Sequence, residues 1–314
     1  MHPWNQPILE ALQRRSARLP HALLIYGARG LGKLALAEGI AQFLLCESSA
    51  APRPCGACAG CRWFAAGNHP DFRRVEPEAL APAAEAAEES AEPPARRGKP
   101  STEIKVEQVR ALAAFLNLGS HRGRSRVALV HPAEEMNAVA ANALLKGLEE
   151  PPAGAMFVLV SHRPARLLPT VRSRCVALPV PIPALETAQA WLDAQGVKDA
   201  ERWLAYAGGA PLRALEYAGD ARALEGVLKA PGPADERDAL DRLAEALQKI
   251  ALDRALMAAG LAPKYQTGGV RPHRRQLRAW LAFARQMGRS RALARHPLNP
   301  KLLSAEMLAM MPKD

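Results

Sequence analysis

The chain has 314 residues, a formal net charge of +11 and a hydrophobic content of 49 %, which is enough apolar material for two or three domains of about 100–150 residues each. No apolar run reaches the roughly 18 residues that a membrane-spanning helix needs. The first residues, Met1 to Gln6, lack a basic head followed by an apolar core. We therefore predict a cytoplasmic protein without a secretory signal or a membrane partner.

A strand, a glycine-rich loop and a helix come first among the predicted elements. The apolar run His21–Tyr26 predicts a buried strand of a parallel sheet. It leads into Gly27-Ala-Arg-Gly-Leu-Gly-Lys33, which has the spacing of a phosphate-binding P-loop up to its lysine. The backbone N–H groups of such a loop surround phosphate oxygens at a helix N-terminus, and the lysine adds a positive charge. The candidate nucleotide-binding residues are Gly27, Gly30, Gly32 and Lys33.

Two positions that hold Mg²⁺ in a hydrolysing P-loop protein carry unsuitable residues here. The residue after the P-loop lysine should be Ser or Thr, but it is Leu34, whose side chain cannot ligate a metal. The apolar strand Arg126–Val130 should end in acidic residues, but His131 and Pro132 follow it, and the next two glutamates lie too far along the chain. We therefore predict no ATP hydrolysis, and weak nucleotide binding without turnover stays open.

A cysteine cluster follows the P-loop helix. Two overlapping C-x-x-C patterns and one earlier cysteine supply four thiols, the number that a closed tetrahedral Zn²⁺ site requires. An iron–sulfur cluster and four unligated thiols are the alternatives, but the ferredoxin pattern has a further cysteine followed by proline, and Arg62 follows here instead. The fifth cysteine, Cys175, is predicted to be an ordinary buried thiol. The candidate zinc ligands are Cys46, Cys55, Cys58 and Cys61.

Strand and helix patterns alternate through the first half of the chain, which predicts a parallel sheet with right-handed crossovers. Residues 76–100 are rich in Ala, Glu and Pro and predict a mobile loop, because they cannot bury enough apolar surface to become ordered. From about Arg222 onward, Leu and Ala at helical spacing predict an all-helical region. Residues 264–314 hold eleven Lys/Arg and two Asp/Glu, so a nucleic-acid surface and ordinary basic helix faces both stay open.

Four features occur in order along the chain: the P-loop, the cysteine cluster, the segment Asn142-Ala-Leu-Leu-Lys-Gly-Leu-Glu-Glu-Pro-Pro152, and Ser173-Arg174-Cys175. Together they resemble the delta-prime family of bacterial clamp-loader subunits, which belongs to the AAA+ class. The resemblance is specific over roughly residues 20–215. It implies an α/β P-loop domain (1–180) with a zinc module (46–61) and the loop 76–100 inserted, a small helical lid (181–221) and an all-α collar domain (222–314).

The resemblance also implies roles for individual residues. The four cysteines would hold a structural Zn²⁺, and Arg174 would be an arginine finger that reaches the ATP site of an adjacent subunit. A guanidinium group suits this role because it is always charged and can contact phosphate oxygens. The arginine of the sensor-2 segment is replaced by Leu212, with Arg213 next to it, which implies that the chain has lost this part of its own site too.

The function that the resemblance implies is that of a non-hydrolysing clamp-loader subunit of the DNA polymerase III holoenzyme. Such a subunit works at the replisome with gamma/tau ATPase subunits and a delta subunit in a hetero-pentamer, and helps to place the sliding clamp on primed DNA. An active ATPase of the gamma/tau type is the first alternative, and it requires the missing Mg²⁺ chemistry. A zinc-finger DNA reader is the second, although Arg53 and Arg62 are the only basic residues in or beside the cysteine module.

Overall fold

The computed structural model describes residues 1–49, 52–80, 100–120, 125–293 and 298–312. The chain divides into two compact units, Met1–Ile182 and Pro183–Asp314. None of the helices in the described part of the chain combines the length and the apolar composition of a bilayer span.

The first unit is built around a five-stranded sheet in the order β2-β3-β4-β1-β5, in which every neighbouring pair is parallel. Strands β3 and β4 are buried along their whole length, as expected for a parallel sheet that is covered on both faces. The predicted parallel sheet is therefore confirmed. Its strands are β1 (Ala22–Tyr26), β2 (Phe72–Val75), β3 (Arg126–Val130), β4 (Ala155–Ser161) and β5 (Val176–Pro179).

Helices flank this sheet and close its core. Leu112 of α4 and Leu144 of α5 pack in one buried cluster with Phe157 of β4. Because the strands are parallel, the segments that follow β1, β3 and β4 leave the sheet at the same edge, where ligands of such sheets bind. The helices of this unit are α1 (Gln6–Arg14), α2 (Lys33–Leu45), α3 (Ala59–Ala65), α4 (Val106–Asn117), α5 (Ala138–Glu149) and α6 (Pro169–Arg172).

Most of the segment that composition predicts to be a mobile loop, residues 81–99, lies outside the described residues. Its described ends lie side by side. The backbone N–H of Ala79 donates to the carbonyl of Ser101 at 3.0 Å, and Lys105 forms an ion pair with Glu78 at 2.7 Å. The chain therefore leaves and re-enters the first unit at one place, as an insertion does.

The second unit is helical in its described part and contains two buried clusters. Trp203 and Leu224 belong to the first of these, which α7 to α10 build. Leu247 and Trp280 belong to the second, which centres on α11 and α12. The helices are α7 (Leu185–Ala194), α8 (Ala200–Tyr206), α9 (Pro211–Gly219), α10 (Ala221–Lys229), α11 (Arg237–Ala258), α12 (Leu277–Leu293) and α13 (Pro300–Ala309).

A partly buried ionic network joins α9 to α11 within this unit. Glu245 of α11 pairs with Arg213 of α9 at 2.9 Å and with Lys249 at 3.0 Å, and it accepts a hydrogen bond from the hydroxyl of Tyr217 at 2.6 Å. Burial opposes ionisation of Glu245, but the charges of Lys249 and Arg213 and the bond from Tyr217 outweigh it and lower the pKa of Glu245 to about 2. One carboxylate therefore contacts both the buried Lys249 and the half-buried Arg213.

We expect Glu245→Gln to destabilise the second unit by about 3 kcal/mol at pH 7, because it leaves the buried Lys249 without an acidic partner, whereas Arg213 keeps Glu216. The pKa of Glu245 is depressed in the folded chain, so its contribution is present above the unfolded pKa of 4.5 and is lost as the pH falls toward about 2. Urea unfolding followed by circular dichroism at pH 7 and about pH 3 measures both effects.

Glu201→Gln is the matched control for this experiment, since Glu201 is exposed on α8 and its substitution should stay within about 0.5 kcal/mol of wild type. Equal stability of Glu245→Gln and wild type at pH 7 would show that the network contributes nothing to the fold.

Candidate functional site

The four cysteines of the cluster that follows α2 converge in the structure. Their Sγ atoms all lie within 4.8 Å of one another, with Cys46 and Cys61 buried and Cys55 and Cys58 half-buried. Tetrahedral Zn²⁺ with bonds of about 2.3 Å to sulfur would place the sulfurs about 3.8 Å apart, so little movement is needed to close such a site. The cluster could therefore hold a metal ion, as the sequence predicts.

Local structure explains why these cysteines meet. Cys46 directly follows α2, while Cys58 caps the N-terminus of α3. A Cβ on Gly60 would lie 2.6 Å from the carbonyl oxygen of Leu45, so glycine is required where α3 crosses the end of α2. The guanidinium of Arg53 donates to the carbonyl of Cys46 at 2.9 Å, which satisfies a backbone acceptor that the end of α2 would leave open.

Backbone N–H groups surround the sulfurs, as they do in thiolate centres. The N–H groups of Glu47 and Cys61 point at the Sγ of Cys58, at 3.4 and 3.3 Å. Burial would raise the pKa of Cys58, but these donors outweigh burial and lower it. Burial raises the pKa of Cys61, and the neighbouring thiols Cys58 and Cys46 raise it further. A bound cation would stabilise all four thiolates at once, so that the ionisation of one cysteine would no longer oppose the ionisation of its neighbours.

The glycine loop after β1 adopts backbone conformations that favour glycine. Gly27, Gly30 and Gly32 all have positive φ angles, of 151°, 85° and 72°. A Cβ on Gly27 would lie 2.6 Å from the backbone carbonyl oxygen of Val180, whereas one on Gly32 would meet the movable ring of His2. Gly27 is therefore needed for packing as well as for backbone conformation.

Lys33 is turned back onto its own loop. Its Nζ donates to the carbonyl of Ala28 at 2.5 Å, and the side chain is buried. Burial lowers the pKa of Lys33 to about 8, an effect that Glu134 partly offsets and Arg29 reinforces. The lysine that would contact phosphate thus has an internal partner in this structure.

The turns after β3 and β4 form a neighbouring part of this region. They contain Glu134, which the sequence reasoning set aside as too far beyond the end of β3, and His162, which it missed. Glu134 lies in a 3₁₀ turn and is buried, and its Oε1 accepts a hydrogen bond from the backbone N–H of His162 at 2.9 Å. Burial, followed by the positive charge of Lys33, lowers the pKa of His162 to about 3, so this imidazole is neutral at pH 7. Both residues follow strands that end at the edge of the sheet where the glycine loop lies. This position after a strand is the sequence signal by which they could have been found.

Arg174 lies between α6 and β5, far along the chain from the glycine loop. Its Nη2 forms an ion pair with Oε1 of Glu149 at 2.5 Å, and its Nη1 donates to the carbonyl of Thr170 at 3.0 Å. The side chain keeps 35 % of its surface exposed. The guanidinium is therefore oriented by two partners while part of it remains accessible.

Comparison with known proteins places these features in a family. A family model described as "DNA polymerase III, delta subunit" matches residues 5–183, which include the cysteine cluster, the glycine loop and Arg174. The chain belongs to this family.

Curated relatives of the family agree with that placement. The chain is 41 % identical over 240 residues to DNA polymerase III subunit delta' of Pseudomonas aeruginosa, covering 73 % of this chain and 66 % of the relative. It is 36 % identical to subunit delta' of Escherichia coli K12, over 61 % of this chain and 52 % of the relative. The matches thus span about half to two thirds of these relatives' length. A match to DNA polymerase III subunit tau of Salmonella typhimurium is partial, with 32 % identity over 51 % of this chain and 21 % of tau.

A solved structure of low sequence identity has a similar fold over almost the whole length of this chain. A DNA polymerase III gamma subunit-related protein of Thermotoga maritima aligns with a TM-score of 0.50 and 19 % identity, over 96 % of this chain and 97 % of that one. At that identity the likeness concerns the fold alone. The parallel sheet with flanking helices, the helical region after it and the inserted cysteine cluster form the architecture that the sequence predicts for a member of this family.

Arg213 follows Leu212, the position at which the resemblance implies a lost sensor-2 arginine, and its partners lie in the second unit. It pairs with Glu245 of α11 and with Glu216 at 2.9 and 2.8 Å, and it lies over the ring of Tyr217. These partners give the guanidinium a structural role between α9 and α11.

Proposed function

We propose that this chain is a non-hydrolysing delta-prime subunit of a bacterial clamp loader, and that it helps to load the sliding clamp onto primed DNA. The family match over residues 5–183 supports this proposal most directly. The greater coverage of delta' relatives, compared with tau relatives, supports delta-prime over the gamma/tau type.

The chemistry of the glycine loop supports the absence of hydrolysis. Leu34 occupies the position of the Mg²⁺-binding hydroxyl, and His131 and Pro132 occupy the positions of the acidic residues after β3. Hydrolysis depends on a metal ion that bridges phosphate oxygens and on a group that orients the attacking water. Without either part the loop has no means to cleave ATP, and Lys33 alone supports at most weak binding of ATP or ADP.

The position of Arg174 supports a role as an arginine finger in trans. Its guanidinium is oriented by Glu149 and Thr170 and remains partly exposed. The triphosphate bound to a neighbouring subunit can replace the carboxylate of Glu149 as the partner of Arg174. A planar guanidinium binds carboxylate and phosphate with the same fork of donors. The chain would thus take part in hydrolysis without hydrolysing ATP itself.

The cysteine cluster is proposed to hold a structural Zn²⁺. The donor set is four sulfurs with backbone N–H groups around them, and four protein ligands leave no open position for a substrate. Cys46, Cys55, Cys58 and Cys61 would bind the ion and fix α3 to the end of α2. The metal would stabilise the fold and take no part in a reaction.

The family match and the delta' relatives are also the basis on which we propose partners for this chain. These partners are the gamma/tau ATPase subunits and a delta subunit in a hetero-pentamer, together with the sliding clamp and primed DNA, in the cytoplasmic replisome.

We further propose that residues 1–180 form the P-loop domain, 181–221 the lid and 222–314 the collar. The two separate buried clusters of the second unit support a division into lid and collar, although Leu224, which lies beyond residue 221, packs in the first of them.

The test is an omission experiment with the other clamp-loader subunits of the same organism. The isolated chain should show no ATP turnover, and the other subunits should load the clamp onto primed DNA efficiently only when the chain is added. Turnover by the isolated chain would support the gamma/tau alternative. Clamp loading that is equally fast without the chain would contradict the proposed function.

A further inference from the structure

One helix of the second unit has an inner and an outer face of opposite character. Trp280, Phe283, Ala284 and Met287 of α12 are buried in the cluster that centres on α11 and α12. With about 3.6 residues per turn, these positions form one continuous stripe along the helix. The inner face of α12 is thus fully used for packing.

The opposite face of α12 carries an arginine stripe, which we define as Arg278, Arg285 and Arg289. Their positions fall within an arc of about 40° and span about 16 Å along the helix axis. All three side chains are exposed, and among the described residues none of them has an ion pair or a hydrogen bond. Arg291 on the same helix differs, because it pairs with Asp241 and Glu245.

The stretch of sequence that contains the stripe has no acidic residue. Residues 254–305 contain eleven Lys/Arg and no Asp or Glu. Arg274 and Arg275, in the turn before α12, are also exposed and extend the basic surface toward the N-terminus of the helix. A surface of one sign attracts polyanions over several ångströms, whereas a merely solvated helix usually mixes both signs, as α11 does.

We propose that the arginine stripe binds the phosphate backbone of DNA. Guanidinium groups bind phosphate oxygens bidentately, and each strand of duplex DNA presents a phosphate about every 3.4 Å along the helix axis. A stripe of about 16 Å along that axis therefore faces roughly five phosphates of one strand of a duplex. Contacts with phosphate carry no sequence information, so the stripe binds single strands or duplexes without regard to their sequence. This surface lies outside the glycine loop and Arg174, and it adds a DNA contact to the proposed function.

The test compares DNA binding by the full chain and by the triple variant Arg278→Gln/Arg285→Gln/Arg289→Gln. The affinity and its salt dependence are measured by fluorescence anisotropy at salt concentrations from about 50 to 200 mM. The probes are a labelled single strand of about 30 nucleotides and the corresponding duplex. We expect the variant to lose at least about tenfold in affinity near 50 mM salt. The slope of log K against log salt should become smaller by about 2 for single strands, since each lost contact removes about 0.7.

A second triple variant, Arg110→Gln/Arg222→Gln/Arg237→Gln, is the matched control. It removes the same charge from three exposed arginines elsewhere and should keep the wild-type salt slope. An equal loss of affinity in both variants would overturn the proposal, because only net charge would then matter. Unchanged DNA binding by the stripe variant would overturn it as well, and so would equally tight binding of polyglutamate of the same charge, which would assign the stripe to an acidic protein partner.

Discussion

Replacing Arg174 by alanine should remove most of the ATP turnover at one site of an assembled clamp loader while the isolated chain keeps its fold. A trans-acting arginine contributes a factor of roughly 10³–10⁵ at the site that it serves. The loss for the whole assembly will be smaller, because the other ATP sites retain their own arginines. Single-turnover hydrolysis with the assembled subunits measures the effect, and thermal unfolding of the chain alone checks that the variant is intact.

Two further variants separate this mechanism from a general effect of charge. Arg172→Ala removes an exposed arginine two residues away and should leave turnover unchanged. Arg174→Lys keeps the charge but loses the planar fork of donors, so it should recover only part of the rate. If Arg174→Ala and Arg172→Ala hydrolyse ATP equally fast in the assembly, the chain acts as a scaffold and Arg174 has no role in trans.

Removing the metal should destabilise the first unit strongly. A ligand that binds only the folded chain stabilises it by about 4 kcal/mol when its free concentration is about 1,000 times its Kd, and thiolate zinc sites bind tightly. The purified chain should contain one equivalent of zinc. A strong chelator should lower its unfolding temperature and reduce the helical signal in circular dichroism as α3 detaches from the end of α2. Zinc analysis by mass spectrometry and thermal unfolding with and without chelator measure these effects.

The chain contains its own control for this experiment. Cys61→Ser should lose zinc, whereas Cys175→Ser should keep it, because Cys175 stands outside the cluster and burial raises its pKa to about 11. Full zinc occupancy in Cys61→Ser would argue against a four-cysteine site. Visible absorption and bound iron in the purified chain would instead support the iron–sulfur alternative.

The sequence predicted those parts of the structure whose cause is local. The apolar runs that became β1, β3 and β4 are continuous because both faces of a parallel sheet are covered. The spacing of Cys55, Cys58 and Cys61 already implied that their sulfurs converge. Leu34 and His131 could be recognised as unsuitable for Mg²⁺ from side-chain chemistry alone. In each case the decisive information lies within a few neighbouring residues.

Contacts between distant segments could not be predicted in this way. Nothing in the local sequence indicates that Glu149 would hold Arg174, or that Glu245 would neutralise Arg213 across two helices. Glu134 and His162 are separated by 28 positions, and the sheet order is what brings them together. Such pairings depend on the packing of whole elements, which periodicity and spacing do not specify.

The tight packing around Gly27 changes how the glycine signature itself should be understood. A side chain there would collide with the backbone carbonyl of Val180, so this architecture demands glycine at that position even when no phosphate is bound. A signature usually taken as a mark of nucleotide chemistry is, in this chain, also a requirement of assembling the polypeptide. Its presence is therefore weak evidence for occupancy, and a direct titration with ATP is the observation that distinguishes a working nucleotide pocket from a purely architectural loop.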